Sequence, residues 1–534
     1  MDATDARDLT AGVALQDLPQ GSMVPGKVDG TDAILVRTEE GLFAVGGVCT
    51  HYSGNLCDGL LTGNVLRCPL HHSKFDVCTG EAIGAPALNA LPCWRVDVVG
   101  AKAFVRERID APRVRPDPVR GSPRRTIIVG GGGAGLAAAE MLRRQGYDGS
   151  LTMVSSEADP PIDRPNLSKD YLAGTAPDDW MPLRPENWYR EQQIGLMLNT
   201  WVRAIDTQAK RAQLADGTAL PYDALLLATG SEPVELAVPG AAAGQVLTLR
   251  SFADCRTLAA KASHARSALV IGSSFVGLEV AASLVARGLV VHVVAPDAVP
   301  MLRTFGAEIG GFVRELHESR GVVFHLGTTV SGVNGQRVTL ANGTRLDVEL
   351  IVAGVGVRPR LALAESAGLA IDRGVSVDEF LETSVPGIFA AGDIARWPDP
   401  HSGERIRVEH WALAQRQGQV AALNMLGRGQ QFDSVPFFWS RHYDVAIQYI
   451  GHAERWDVVD IDGSPRSRDC SASYRLGGEQ RALATIGRDR FSLAVEDGME
   501  SATRAASQVD RQLDQALALT FPASDPVAID RPIA

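Results

Sequence analysis

The decapeptide TIIVGGGGAG at residues 126–135 constrains this chain more than any other stretch. A run of β-branched residues leads into Gly130-x-Gly132-x-x-Gly135, and the stretch from Leu136 to Arg144 is rich in helix formers. The pattern predicts a strand, a tight turn and the first turn of a helix, the unit that cradles a dinucleotide. Each glycine has its own steric duty. Gly130 turns the chain, Gly132 lets a pyrophosphate approach the backbone, and Gly135 lets the helix pack closely on the strand. The helix N-terminus then offers unpaired N–H groups to phosphate. In LTMVSSE, Leu151 to Ser155 reads as the second strand. Glu157 stands about 20 residues beyond the glycines, where a carboxylate accepts hydrogen bonds from a ribose.

At 534 residues the chain is longer than one core serves, since single cores stop growing at roughly 250 to 300 residues, and about three or four domains are expected. Its formal charge of −11 argues against nucleic acid or an anionic membrane as the main partner, and is compatible with a basic protein partner. Residues 1–20 are acidic and mixed, without the basic-then-apolar order of a signal peptide, and no apolar run reaches about 18 residues. A cytoplasmic protein is expected. Seven cysteines are too few for a disulfide scaffold, so their spacing matters more than their number.

Residues 1–107 read as β-rich, with AILVRT and LFAVGGV as short alternating runs between Glu-Gly and Asp-Gly turns. Two loops there carry soft ligands: Cys49-Thr50-His51 and, after 16 intervening residues, Cys68-Pro69-Leu70-His71. Two thiolates and two imidazoles make a closed site for zinc or for a two-iron cluster. Zinc fingers more often carry two cysteines in one half and two histidines in the other, whereas this symmetry gives each of two irons a like pair. In this motif the chain resembles the Rieske family over most of its first hundred residues. The resemblance implies a [2Fe-2S] cluster with Cys49 and Cys68 on one iron and His51 and His71 on the other. It makes His72 a bystander, at a place where the family often has glycine. It also leaves Cys57 and Cys78 away from the disulfide positions of the high-potential respiratory members. Phe75 lacks the hydroxyl a tyrosine would supply, although Ser73 can donate to a cluster sulfur. Few donors imply the lower part of the Rieske range, roughly −150 to +300 mV, as in ferredoxin-type members.

The linker assigned to residues 108–124 contains APRVRPDPVRGSPR, proline and arginine with no apolar period, and reads as a stiff, extended tether. After Glu157, PPIDRPNLSKDYL is a loop that carries Arg164 and Lys169 towards the nucleotide site, and YDALLLATG is a buried-strand pattern closing on Gly230. A second fingerprint, Gly272-x-Ser274-x-x-Gly277, lies in ALVIGSSFVGLEVAASLVARG. The strand after it ends at Ala295, and Asp297 comes two residues late for a ribose acid. No arginine cluster is there to claim a 2′-phosphate, which keeps NADH ahead of NADPH without excluding the latter.

The RPxLSK loop, the ATG segment and the AGD segment of IFAAGDIA make this part of the chain look like the ferredoxin reductases of aromatic-ring dioxygenases and the apoptosis-inducing-factor group of flavoproteins. The resemblance fades towards the C-terminus. It implies a multidomain chain: the β-rich Rieske domain (1–107), the linker, an α/β Rossmann-like FAD-binding domain (125–245 and 366–430), an α/β NAD(P)H-binding domain (246–365) and an α+β C-terminal interface domain (431–534). It places Lys169 near the flavin's reacting edge and Glu279 beside the nicotinamide, as a pair that positions the flavin and stabilises charge as hydride arrives. Gly392 and Asp393 fall by the pyrophosphate and ribityl chain. Trp411 packs on the flavin ring and gates the nicotinamide, with a core tryptophan as the plainer alternative. Trp439 either borders the flavin's other edge or joins Phe437 and Phe438 in a hydrophobic core.

Nicotinamide gives up electrons in pairs whereas a Rieske cluster takes them singly, and a flavin deals in both. The combination implies an NAD(P)H-dependent reductase that passes electrons from FAD to its own tethered Rieske domain and on to a separate oxygenase, cytochrome or other redox protein. The tether would hold the cluster at an effective concentration of order millimolar. A disulfide reductase needs a redox cysteine pair just after the flavin fingerprint, and no cysteine lies between Cys93 and Cys255. Cys255 and Cys470 read as buried and inert. The alternative, drawn from the second resemblance, is a redox-sensing or signalling flavoprotein that oxidises NADH slowly. Oligomeric state is left open.

Overall fold

The computed structural model of the chain describes residues 7–110 and 121–519; the middle of the expected linker, 111–120, lies outside them. The first part is a six-stranded antiparallel sheet in which Gly41–Gly46 joins Thr31–Thr38 on one side and Cys93–Val99 on the other. The alternating sequence runs are these strands. They turn Ile34, Val36 and Val45 into a core that also receives Leu66 and Phe75 from a smaller sheet. That sheet has four short antiparallel strands, Leu60–Thr62, Val65–Arg67, Lys74–Asp76 and Ala82–Gly84. The Cys68 loop joins its second and third strands, and the Cys49 loop follows Gly41–Gly46.

Two five-stranded parallel sheets follow, built to one plan. In the first, Arg125–Val129 is flanked by Ser150–Val154 and then Ile194–Met197 on one side, and by Ala224–Leu227 and then Ile388–Ala390 on the other. In the second, Ser267–Ile271 is flanked by Val290–Ala295 and Val323–Leu326, and by Leu350–Ala353 and Val246–Leu247. The registers repeat, because Thr126 pairs with Leu151 and Ala224 just as Ala268 pairs with Val291 and Leu350. Strands covered on both faces need no polar alternation, which is why ALLL and LIVA are continuous apolar runs. Such sheets take their ligands beyond the C-terminal strand ends, where the strand order reverses.

Helix α1 (Gly133–Arg144) follows the first fingerprint and α2 (Phe275–Ala286) the second, with α3 (Leu302–Ser319) beyond it. Helix α4 (Trp411–Met425) packs against α1 at Gly418, where a Cβ would stand 2.1 Å from the Ala134 carbonyl. A five-stranded antiparallel sheet led by Phe437–His442 follows, then helix α5 (Asp489–Leu519). Ile447, Tyr449 and Tyr474 of that sheet share a core with the second parallel sheet. No helix among the described residues is long and apolar enough to cross a membrane.

Candidate active site and cluster centre

A cleft of about 1180 Å³ opens between the two parallel sheets and the C-terminal sheet. Pockets for one ligand usually hold about 300–1,000 Å³, so this one has room for more than a single small molecule. Gly130 (φ 126°) turns the chain at its rim, and a Cβ there would stand 2.0 Å from the Ala228 carbonyl. Gly135 faces back on the turn, where a Cβ would come 2.1 Å from the Gly130 carbonyl and 3.2 Å from the Ile128 side chain. Gly132 is the N-cap of α1; no side chain caps it and nothing stands in front of it. The unpaired N–H groups of that helix end therefore face the cleft. Gly230 (φ 66°) and Gly392 (φ 81°) follow neighbouring strands in left-handed turns, and Gly392 donates its N–H to Gln417 Oε1 of α4 at 2.8 Å.

Charges on this wall are paired. Arg164 donates to Glu157 at 2.5 Å and to the Arg250 carbonyl at 2.7 Å, and Arg250 donates to Asp393 at 2.8 Å. Arg250 was not singled out by any motif, since it belongs to no glycine turn and meets Asp393 only through the fold. Trp411 is the first residue of α4 and lines the cleft; its indole Nε1 is buried without a partner among the described residues. A buried unpaired donor costs about 1–3 kcal/mol, an opening that a cofactor's acceptor can fill.

Gly272 and Gly277 repeat the steric plan of Gly130 and Gly135, with a Cβ at either standing 2.3 Å from a backbone carbonyl. They shape the turn from behind. Ser274, the N-cap of α2 with no side-chain capping bond, is the residue of that fingerprint on the cleft wall. Asp297 is paired with the exposed Arg303 at 3.8 Å, a single arginine that reaches it only once α3 has folded back.

Lys169 and Glu279 meet in the cleft, Nζ to Oε2 at 2.7 Å. Glu279 is buried with both oxygens engaged: Ser168 Oγ donates to Oε2 at 2.6 Å and Ser440 Oγ to Oε1 at 2.8 Å. A solvated helix glutamate would hold no such set of partners. Ser440 was not legible as a site residue, because it stands 161 residues from Glu279 on the C-terminal sheet.

The two cluster loops are built alike. Cys49 N–H bonds the Gly54 carbonyl at 2.9 Å and Ser53 N–H returns to Cys49 at 3.1 Å; Cys68 N–H bonds Ser73 at 2.9 Å and His72 N–H returns to Cys68 at 3.1 Å. Both returning residues are left-handed, φ 53° at Ser53 and 58° at His72. The loops bring His51 Nδ1 and His71 Nδ1 to 3.1 Å. Burial keeps both imidazoles neutral, pushing His51 down to about 4, and a neutral ring nitrogen is what a metal takes. Cys49 is held below the ordinary thiol value, first by its hydrogen bond with Cys68 and, to a smaller degree, by Ser73. Thiol stands with thiol and imidazole with imidazole, a donor set that fits a two-iron cluster. All seven cysteines are free; Cys57 and Cys78 are pushed up to about 11 by burial. Burial also raises Cys255 to about 12, and its thiol donates to the Leu167 carbonyl at 3.1 Å.

The cluster loops sit on the rest of the chain. The His71 ring lies 4.2 Å, centre to centre, from Trp439, which also lines the cleft. Phe438 faces the cleft beside it, while Phe437 is core. Tyr52 donates to Asp163 of the RPxLSK loop, whose carboxyl burial raises to about 6. His72, the expected bystander, is far from idle: its ring stacks on Phe437 at 3.8 Å, Nδ1 meets Glu496 Oε2 at 2.5 Å, and its carbonyl takes Arg416 at 2.8 Å. Around it Arg67, Lys74 and Arg416 meet Glu496, Asp497 and Glu500 of α5. Burial pushes Glu496 up, but Arg416 and His72 outweigh it and hold the carboxyl well below the usual range.

Comparison with known proteins gives three matches along the chain: residues 11–95 to the Rieske [2Fe-2S] domain, 124–418 to pyridine nucleotide-disulphide oxidoreductase and 437–519 to the reductase C-terminal domain. The last extends the likeness further towards the C-terminus than the motifs alone allow. The chain is 31% identical over 506 residues to apoptosis-inducing factor 3 of Homo sapiens, covering 91% of this chain and 83% of that protein. It is 35% identical over 371 residues to the ferredoxin–NAD(+) reductase component of the anthranilate 1,2-dioxygenase system of Burkholderia cepacia, covering 68% of this chain and 91% of that one. Among solved structures, the covalent putidaredoxin reductase–putidaredoxin complex matches with a TM-score of 0.68 and 32% identity, over 71% of this chain and 93% of that chain. The matched domains imply FAD, NAD(P)H and a [2Fe-2S] cluster.

Proposed function

Since the chain belongs to the pyridine nucleotide-disulphide oxidoreductase family and carries a Rieske [2Fe-2S] domain at its front, we propose that it takes electrons from NAD(P)H through FAD to its own cluster and on to a separate one-electron protein such as an oxygenase or a cytochrome. The cytoplasm suits such a chain. The observation that carries the reading is Trp439, one side chain shared by the cleft and by the cluster ligand His71.

In this reading the α1 N-terminus with Gly130 and Gly132 holds the FAD pyrophosphate, Glu157 and Arg164 hold its adenosine half, and Gly230, Gly392 and Asp393 close over the middle. Ser274 and the α2 turn receive the nicotinamide dinucleotide. Bound FAD supplies an acceptor for hydride that can return the electrons singly. Lys169, fixed by Glu279 and the Pro165 carbonyl, places a positive charge where negative charge gathers. Trp411 covers the ring. Cys49, His51, Cys68 and His71 hold the cluster.

An anaerobic NADH titration followed by visible absorbance and low-temperature electron paramagnetic resonance tests the reading. The flavin is expected to bleach and a reduced-cluster signal of His-ligated type to appear. Bleaching without that signal in iron-loaded protein rules out the internal route. A second reading, slow redox sensing, rests on one point: the relative that spans 91% of the chain is named an apoptosis-inducing factor rather than a reductase. Fast reduction of cytochrome c excludes it, whereas slow turnover with a long-lived charge-transfer band supports it.

A further inference from the structure

A third segment lies against the two cluster loops. Residues 82–89 carry no ligand, yet they bond both loops: Ala87 N–H donates to Ser73 Oγ at 2.9 Å, and Thr50 Oγ1 donates to the Asn89 carbonyl at 2.7 Å. Thr50 stands between Cys49 and His51, and the Ser73 carbonyl takes the Cys68 N–H at 2.9 Å. Ala85, Ala87 and Ser73 are each 0% exposed. Water is shut out there, so their polar groups bond protein or what the loops hold.

The reductase part of the chain grips this segment along its length. On α4, Gln419 Oε1 accepts the Ala85 N–H at 3.2 Å and Arg416 Nε donates to the Ala85 carbonyl at 3.1 Å. Arg144 of α1 donates to the Ala82 carbonyl at 2.6 Å, and Arg184 to Asn89 Oδ1 at 2.6 Å. Ala85 is thus held by both its backbone groups from one turn of a helix that begins at Trp411 on the cleft wall. Arg416 and Gln419 are buried, so solvent does not compete for these bonds.

Ser73 is where the grip reaches the cluster site. A hydroxyl has one hydrogen to give and lone pairs that accept. Ala87 N–H occupies a lone pair and leaves the hydrogen to donate; the Cys49 thiol is the acceptor it meets. We propose that Gln419 and Arg416 are positioning residues for the cluster: by holding Ala85 they keep Ala87 on Ser73 and Ser73 on the Cys49 sulfur, and so raise the cluster's reduction potential. The cause is electrostatic. One-electron reduction adds negative charge that the sulfurs share, so a donor to a ligand sulfur favours the reduced form. The inference rests on reading Cys49, His51, Cys68 and His71 as the ligands, and is independent of the route by which electrons arrive or leave.

Full-length holoprotein is titrated anaerobically with dithionite and mediator dyes, and the cluster is followed by electron paramagnetic resonance. Gln419→Leu removes the acceptor and brings no charge. Its cluster is expected to be about ten-fold harder to reduce, a potential lower by about 59 mV, with FAD content and bleaching by NADH near wild type. Ser73→Ala breaks the last link and is expected to lower the potential at least as far, and Gln419→Leu added to it is expected to change nothing more. Arg416→Lys keeps the charge but loses the Nε bond, and is expected to shift the potential the same way. An unchanged potential in Gln419→Leu, or an equal shift with and without Ser73, makes α4 a plain support and overturns the proposal. If Gln419→Leu does not retain its cluster, Ser73→Ala and Arg416→Lys decide, and wild-type potentials in both overturn it. Should reduced wild-type protein give no signal of His-ligated type, the ligand reading falls and the proposal with it.

Discussion

His72 shows how a single residue can look idle and not be. At φ 58° it holds a left-handed position that glycine takes freely and that costs other residues about 1–3 kcal/mol. The side chain answers that strain with a ring stack and a buried carboxylate, neither of which a glycine offers. Glu279 is the complementary case, a residue whose place follows from its helix but whose function depends on distant partners. Glu279→Gln keeps one acceptor for the two serines, turns the other oxygen into a donor, and removes the charge opposite Lys169. Hydride transfer in anaerobic stopped-flow is expected to slow about 10²-fold with FAD content near wild type. Equal loss of both would make Glu279 a structural support. Gly135 and Gly277 were legible because their sterics are local, each facing the carbonyl of the first glycine of its own fingerprint at 2.1 and 2.3 Å from an absent Cβ. Ser440, Arg250 and Arg416 were not, because each becomes a site residue only when segments far apart in sequence meet.

Among the elements, α5 carries the most that sequence pattern could not tell. Its glutamates at 496 and 500 are spaced like a solvated helix face, yet both are 0% exposed against Arg67, Lys74, His72 and Arg416. The two parallel sheets were readable because covered strands and fingerprint turns are short-range patterns; the helix existed in the sequence, but its partners Arg67, His72 and Lys74 lie more than four hundred residues upstream. Removing one member of a buried charge set costs about 3–5 kcal/mol, because its partners stay buried and unmatched. In Glu496→Ala that cost falls on the seat of the N-terminal domain. Hydrogen–deuterium exchange is expected to rise around residues 67–74, and cluster reduction to slow while NADH still bleaches the flavin. Unchanged exchange there would mean that α5 does not hold the domain.

At the scale of the molecule, the N-terminal domain is seated rather than merely tethered. Contacts run from Tyr52–Asp163 through Trp439 to α5, so the cluster site and the cleft share one body. Cluster reduction in rapid-mixing experiments is therefore expected to be first-order and unchanged on about hundred-fold dilution; a rate falling in proportion to protein would indicate docking on a neighbouring copy. The seat also has a history within each synthesis of the chain. Translation delivers the cluster loops about 20–80 s before Glu496 and Glu500 at 5–20 residues per second. Through that interval the ligand loops stand uncovered, before Trp439 and α5 exist to meet them. The order of translation thus leaves both loops open to solvent until α5 is made and joins them to the rest of the chain.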